Sequence, residues 1–154
     1  APGCIENKYT KLTLAKALRI LEQKVTENPE NADNYCHLLG NAWFNLSYYG
    51  AAWNGLDYER SYVWGSQEEE SRTNFTDLSR ARNYYRQSIN EAKTDELAAL
   101  SALMFAKCEV VQSEPYEVPY GIKGYDMLLA EYEGTEAYRK ALDECRYFLV
   151  YSRR

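Results

Sequence analysis

The chain has 154 residues, the size of one ordinary domain, and a formal net charge of -5 from 18 Lys and Arg against 23 Asp and Glu. With 45% hydrophobic residues it can build a core, which excludes an intrinsically disordered chain. Its scattered basic residues argue against a nucleic-acid partner, and its longest apolar run of ten residues, 97–106, falls short of the roughly 20 that span a bilayer.

The first third of the chain predicts two helices. Residues 10–28 carry apolar residues at intervals of three and four, and the helix ends before Pro29 because a residue that precedes proline avoids the helical region. Residues 32–50 repeat this spacing, which places Leu38 among the buried residues and makes Gly50 a plausible stop.

The middle of the chain predicts an interruption followed by two more helices. Residues 54–75 keep no long hydrophobic period, so we interpret them as an insertion or long loop. Thr76 is then expected to cap a helix over residues 77–92, and Thr94 one over residues 95–112 in which Leu100 faces inward.

The last third predicts a loop and two helices. Residues 113–123 contain two prolines and a glycine, which forbid a regular helix. A short helix follows over residues 125–133, and Thr135 caps a final helix that reaches about Tyr151. No window alternates as a strand does, so the fold class is all-α, built from antiparallel helix pairs joined by short turns.

A repeat pattern is visible in the second helix. Leu39-Gly40 is followed by Trp43 three residues after the glycine and by Tyr49 further on, which resembles the first helix of a tetratricopeptide repeat (TPR). The resemblance implies that the small Gly40 lets two helices approach closely and that Trp43 fills the gap beside it. Three later positions resemble the second helix of that repeat: Ala81, Tyr85 and Ser88. The resemblance implies a single TPR-like domain over residues 1–154, stacked as a short superhelix that the insertion at 54–75 interrupts. We expect it to be a fragment or processed part of a longer chain, since it does not begin with Met.

In TPR domains the first helix of each pair lines a groove that receives an extended peptide. The resemblance therefore implies that Asn41, Asn45 and Tyr48 face a partner. Four further aromatic residues crowd the following segment and offer rigid contact area with hydrogen-bonding groups: Trp53, Tyr58, Tyr62 and Trp64. The aromatic-rich form is also similar to helical domains of large bacterial cell-envelope proteins, which implies a periplasmic or envelope location, with the cytoplasm as the alternative.

Residues that could carry catalysis are sparse. His37 is the only histidine, and its neighbour Cys36 points about 100° away on a helix, so the two cannot readily form a Cys-His pair. The four cysteines contain no CxxC motif, and three of them occupy apolar helical positions, as small core residues do. We therefore predict no catalytic residue, no metal and no cofactor.

The sequence favours a non-catalytic binding or scaffolding module that recognises a protein or peptide. The alternative is a carbohydrate-binding helical domain of an envelope nutrient-uptake system, in which the exposed aromatic rings stack on sugars. A third and less favoured hypothesis is an enzyme that uses paired carboxylates across a pocket.

Overall fold

The computed structural model describes residues 10–52, 76–113 and 120–154 and builds them from seven α-helices without a strand. This confirms the all-α class. The predicted insertion at 54–75 lies outside the described residues. The helices are α1 (Lys11–Glu27), α2 (Ala32–Leu46), α3 (Ser79–Glu91), α4 (Asp95–Val111), α5 (Lys123–Glu131), α6 (Glu136–Glu144) and α7 (Arg146–Ser152), with a 3₁₀ turn (Pro29–Asn31) before α2.

Threonine hydroxyls begin three of these helices. Thr10, Thr94 and Thr135 have extended backbones, and each side chain accepts a hydrogen bond from the backbone N–H three residues further on. Each bond satisfies one of the N–H groups that a helix start leaves without an intrahelical partner. The caps expected at Thr94 and Thr135 are confirmed.

Three helices depart from their predicted boundaries, and the simplest case is α5, which spans Lys123–Glu131 instead of residues 125–133. Helix α3 begins at Ser79 rather than at residue 77, and Asp77 instead of Thr76 accepts its first N–H, from Ser79 at 2.8 Å. Those hydrogen bonds from Ser79 also lower the pKa of the Asp77 carboxyl. Helix α2 ends at Leu46 rather than at Gly50, because Ser47 turns to an extended conformation and its hydroxyl donates to the Phe44 carbonyl.

The last predicted helix is two helices. Cys145 adopts φ -104° and ψ 96°, which ends α6 and begins α7. The bend lets Phe148, fully buried, pack against the rings of Tyr125 and Tyr138 with centroids 5.1 and 5.4 Å away. Burial of three aromatic rings offsets the helical hydrogen bonds lost at the bend.

The helices pack in series, each on the next along the chain from α1 to α5. Helices α2 and α3 are antiparallel, because Asp33 lies beside Lys93 and Asn41 beside Tyr85. Helix α4 also contacts α2 and α6, while α7 packs on α5 and α6. The alternate helices α2, α4 and α6 therefore form one row.

Small residues set the closest approaches between neighbouring helices. A Cβ added to Gly124 of α5 would lie 2.4 Å from the backbone oxygen of Ala102 and 2.5 Å from the nitrogen of Ala106 in α4. On the other side of the domain, Gly40 of α2 lies directly against the ring of Tyr85 in α3. The interhelical spacing at both places requires glycine, as the resemblance predicted for Gly40.

Candidate functional site

Helix α2 has one side on which none of the other described helices packs. Asn34, Leu38, Asn45 and Tyr48 are exposed, and the half-buried Asn41 lies among them. Spacing of three and four residues places Asn34, Leu38, Asn41 and Asn45 on one face of the helix. Tyr48 lies just beyond the C-terminal end of α2, after the extended Ser47. The opposite face of α2 carries the core residues.

Leu38 was expected to be buried, and that prediction is wrong. Its side chain is 50% exposed, whereas its neighbour Leu39 is fully buried. Successive residues on a helix point about 100° apart, and the helices packed around α2 cover the sector of Leu39 but not that of Leu38. An exposed leucine in the middle of this polar face provides an apolar contact point.

Helix α4 continues the same surface. His37 of α2 contacts Ser101 of α4, and further along the Lys107 ammonium lies 5.2 Å from the centroid of the Phe44 ring, so the two helices run parallel. On parallel helices, the residue after the contact on one and the residue before it on the other lie on the same side. Leu38 and Leu100 therefore share a side.

Leu100 is 38% exposed, contrary to the prediction that it faces inward. Because α3, α5 and α6 cover the other sides of α4, this sector stays open. We call the combined surface the α2–α4 face. It comprises Asn34, Leu38, Asn41, Asn45, Tyr48, Leu100 and Lys107.

Each of the two predicted asparagines uses one of its two side-chain polar groups in a hydrogen bond within the domain. The Tyr85 hydroxyl donates to Asn41 Oδ1 at 2.8 Å, and Asn45 Nδ2 donates to the backbone oxygen of Asn41 at 2.9 Å. Among the described residues no group bonds to the remaining donor, Asn41 Nδ2, or to the remaining acceptor, Asn45 Oδ1. Together they present one donor and one acceptor a helical turn apart.

Tyr48 is the aromatic member of the face. Its ring is 49% exposed and meets Tyr49 edge to face, with centroids 5.5 Å apart. Of the seven predicted site residues, the structure brings Asn41 and Asn45 into contact and places Tyr48 just beyond the end of their helix. The other four lie outside the described residues: Trp53, Tyr58, Tyr62 and Trp64.

A buried polar chain lies directly behind this face. His37 Nδ1 is 2.8 Å from Ser101 Oγ, which is 2.9 Å from Ser88 Oγ. Burial lowers the pKa of His37, so the neutral imidazole is favoured. Both serine side chains are fully buried, so Ser101 is closed to a substrate despite its distance from the histidine. The sequence has no local signal that joins Ser88 and Ser101 to His37, since Ser101 lies 64 positions from the histidine.

The cysteines of the described residues behave as core residues. Cys36 and Cys108 are fully buried, and burial raises the pKa of their thiols to about 11 and about 12. The reactive thiolate is therefore disfavoured at neutral pH. Cys145 is half-buried, and all three thiols are free. In the part of the chain that the structure describes, no three His, Cys, Asp or Glu side chains gather as metal ligands do.

Comparison with known proteins found no match. No protein-family model, curated protein or solved structure matches the chain. Within residues 10–52, 76–113 and 120–154, no helix has both the length and the apolar character needed to cross a membrane.

Proposed function

We propose that this chain is a TPR-like, non-catalytic binding module whose α2–α4 face receives an extended segment of a partner protein. The observation that carries the proposal is the pair Asn41 Nδ2 and Asn45 Oδ1, one donor and one acceptor, set between the exposed side chains of Leu38 and Tyr48. Hydrogen bonds among the described residues leave both groups available.

This pair suits the backbone of an extended peptide. In an extended chain the C=O and N–H of one residue point to the same side, so they can bond Asn41 Nδ2 and Asn45 Oδ1 together. The interaction depends on backbone groups that every residue has, and the side chains of the peptide then meet Leu38 and Leu100. Backbone bonds supply affinity, and the apolar contacts supply selectivity.

The arrangement of the helices supports the same proposal. Alternate helices α2, α4 and α6 touch one another, and each is followed by a helix that packs beside it. A row of alternate helices is what stacked helix pairs form, and this row carries the α2–α4 face. Scaffolding within a larger assembly would use the same face.

The test selects peptides from a random displayed library on the wild-type domain and measures their affinity by fluorescence polarisation. The substitution Asn41→Asp keeps the acceptor for the buried Tyr85 hydroxyl but removes the donor, whereas Asn41→Ala would also leave that hydroxyl without an acceptor. We expect Asn41→Asp and Asn45→Ala each to weaken binding about tenfold, since an unpaired buried polar group costs roughly 1–3 kcal/mol.

The matched controls are Asn83→Ala and Asn90→Ala, which change exposed asparagines on α3. They should leave the affinity unchanged, and circular dichroism should show that all four variants are folded. Peptides that bind the Asn41→Asp and Asn45→Ala variants as tightly as wild type would contradict the proposal.

Carbohydrate binding stays the alternative prediction. Among the described aromatic residues of α2 and the turn after it, carbohydrate binding would depend on Tyr48, because the Arg80 guanidinium covers the Trp43 ring with its carbon 4.1 Å from the ring centroid. Oligosaccharides that quench the intrinsic fluorescence of wild type but not of Tyr48→Ala would favour it over the peptide proposal.

A further inference from the structure

Two arginines of α3 converge on a single aromatic ring on another side of α4. The guanidinium carbons of Arg82 and Arg86 lie 5.4 and 5.6 Å from the centroid of the Phe105 ring. Phe105 lies about 140° around α4 from Leu100, so this arginine pair is not part of the α2–α4 face. The two arginines are four residues apart, and like charges at that spacing on one helix face repel each other.

Neither guanidinium has an acidic partner in the described residues. The Nε–H of Arg82 is buried there without a hydrogen-bond acceptor, although Arg82 as a whole is only half-buried. Buried N–H groups in folded proteins almost always have an acceptor, because an unpaired one loses its hydration without compensation. Arg80, on the same helix, differs in that it lies 4.0 Å from Glu22.

The carboxylates near Arg82 already accept other hydrogen bonds. Glu109 of α4 accepts the Gly124 backbone N–H at 3.1 Å, and burial raises its pKa even though Arg82 and Lys123 act to lower it. Asp126 of α5 accepts the Tyr151 hydroxyl at 2.7 Å. The two carboxyls whose pKa Arg82 acts to lower, Asp77 and Glu109, therefore both already accept a backbone N–H, from Ser79 and Gly124.

We propose that Arg82 and Arg86 bind an oxyanion, a carboxylate or a phosphate group, beside the Phe105 ring. A guanidinium offers two parallel N–H groups that match the oxygens of either anion, and the buried Arg82 Nε–H would gain the acceptor it lacks. Contact with the aromatic ring already restricts both guanidiniums, so anion binding costs little additional side-chain conformational entropy. The carboxylate or phosphate group belongs either to a small molecule or to a partner protein, and the arginines would bind it in the same way in both cases.

The proposal is tested by nitrogen-15 NMR of the arginine Nε–H groups of the full chain. Inorganic phosphate and acetate are titrated separately, with chloride as the reference at equal ionic strength. We expect the Arg82 Nε–H resonance to shift saturably with at least one of the two anions and not with chloride. Saturation by phosphate alone indicates a phosphate-bearing ligand, and saturation by acetate indicates a carboxylate.

The exposed Arg86 provides the decisive variant, because Arg86→Gln removes one guanidinium without opening the core. We expect it to weaken anion binding at least tenfold. The control Arg139→Gln changes an exposed arginine of α6 and should leave binding unchanged. Identical shifts of Arg82 in phosphate, acetate and chloride, or unaltered binding by Arg86→Gln, would overturn the proposal.

Discussion

At the scale of single residues, Gly40 and Tyr85 fix the distance between α2 and α3. A Cβ at position 40 would lie 2.6 Å from two carbons of the Tyr85 ring, and Tyr85 is fully buried with its hydroxyl bonded to Asn41. The ring therefore cannot move aside without breaking that bond. The gap beside Gly40 is filled by Tyr85, a residue of the next helix, rather than by Trp43 as the sequence suggested.

We predict that Gly40→Ala lowers the free energy of unfolding by about 1–3 kcal/mol, because the added methyl overpacks the contact with Tyr85. The control is Gly134→Ala, where nothing lies within 4 Å of the added Cβ and φ is not positive. That change should leave stability unchanged or raise it slightly, since alanine restricts the unfolded chain more than glycine does. Urea denaturation of both variants gives the comparison, and equal midpoints would contradict the prediction.

The sequence could identify Asn41 and Asn45 as candidates but not their hydrogen bonds. The family positions placed both on a groove, and the structure has them on an uncovered face. The bond from Tyr85 to Asn41 joins residues 44 positions apart, so no local pattern predicts it. Leu38 was misassigned because hydrophobic spacing shows which residues can be buried, whereas the neighbouring helices determine which ones are.

At the scale of helices, hydrogen bonds connect the first turn of α6 to α4. The Glu96 carboxylate of α4 accepts the backbone N–H groups of Glu136 and Ala137 at 2.9 and 2.8 Å, and the Thr135 hydroxyl accepts a third, from Tyr138. A negative charge at a helix N-terminus is also favourable to the helix dipole. One side chain of α4 therefore both caps α6 and holds it beside its neighbour.

We predict that Glu96→Ala destabilises the domain by about 1–2 kcal/mol, since it removes two capping hydrogen bonds and a favourable charge. Glu144→Ala is the control, because Glu144 is an exposed acid at the opposite end of α6. Thermal unfolding followed by circular dichroism should show a lower midpoint for Glu96→Ala only. An equal effect of the two substitutions would mean that Glu96 does not cap α6.

Helix existence was predictable from the sequence, and helix ends less so. Threonine residues correctly predicted the starts of α4 and α6. A capping side chain bonds a backbone N–H only three positions further on, so the interaction is local and can be read from the sequence. The bend at Cys145 was missed, because it depends on Phe148 reaching Tyr125, which comes from another helix. Ser47 likewise ended α2 early through a local hydrogen bond that hydrophobic spacing does not report.

At the scale of the whole molecule, the helices differ in how many neighbours support them. Helix α4 contacts α2, α3, α5 and α6 and has seven buried residues, whereas α1 packs mainly on α2 and has one, Leu18. Stability in such a serial arrangement is not uniform, and segments with few buried contacts open first. Helix α1 is thus expected to be less stable than α4.

We predict that amide hydrogen exchange is slowest in α4 and at least tenfold faster in α1, after correction for intrinsic rates. A tenfold difference corresponds to about 1.4 kcal/mol between local and wider opening. Mass spectrometry of peptides from each helix gives the measurement. Equal protection of α1 and α4 would mean that the described helices open together as one unit.

The buried chain of His37, Ser101 and Ser88 has a consequence for how the helices find their alignment. Helix α4 meets its neighbours with alanines at 98, 99, 102 and 106, a smooth surface on which helices could pack at several offsets with similar apolar burial. Only one offset places the imidazole and the two hydroxyls within bonding distance, and any other leaves polar groups buried without partners. These three side chains therefore determine the register of α2, α3 and α4. The same register fixes where Leu38 and Leu100 lie on the surface.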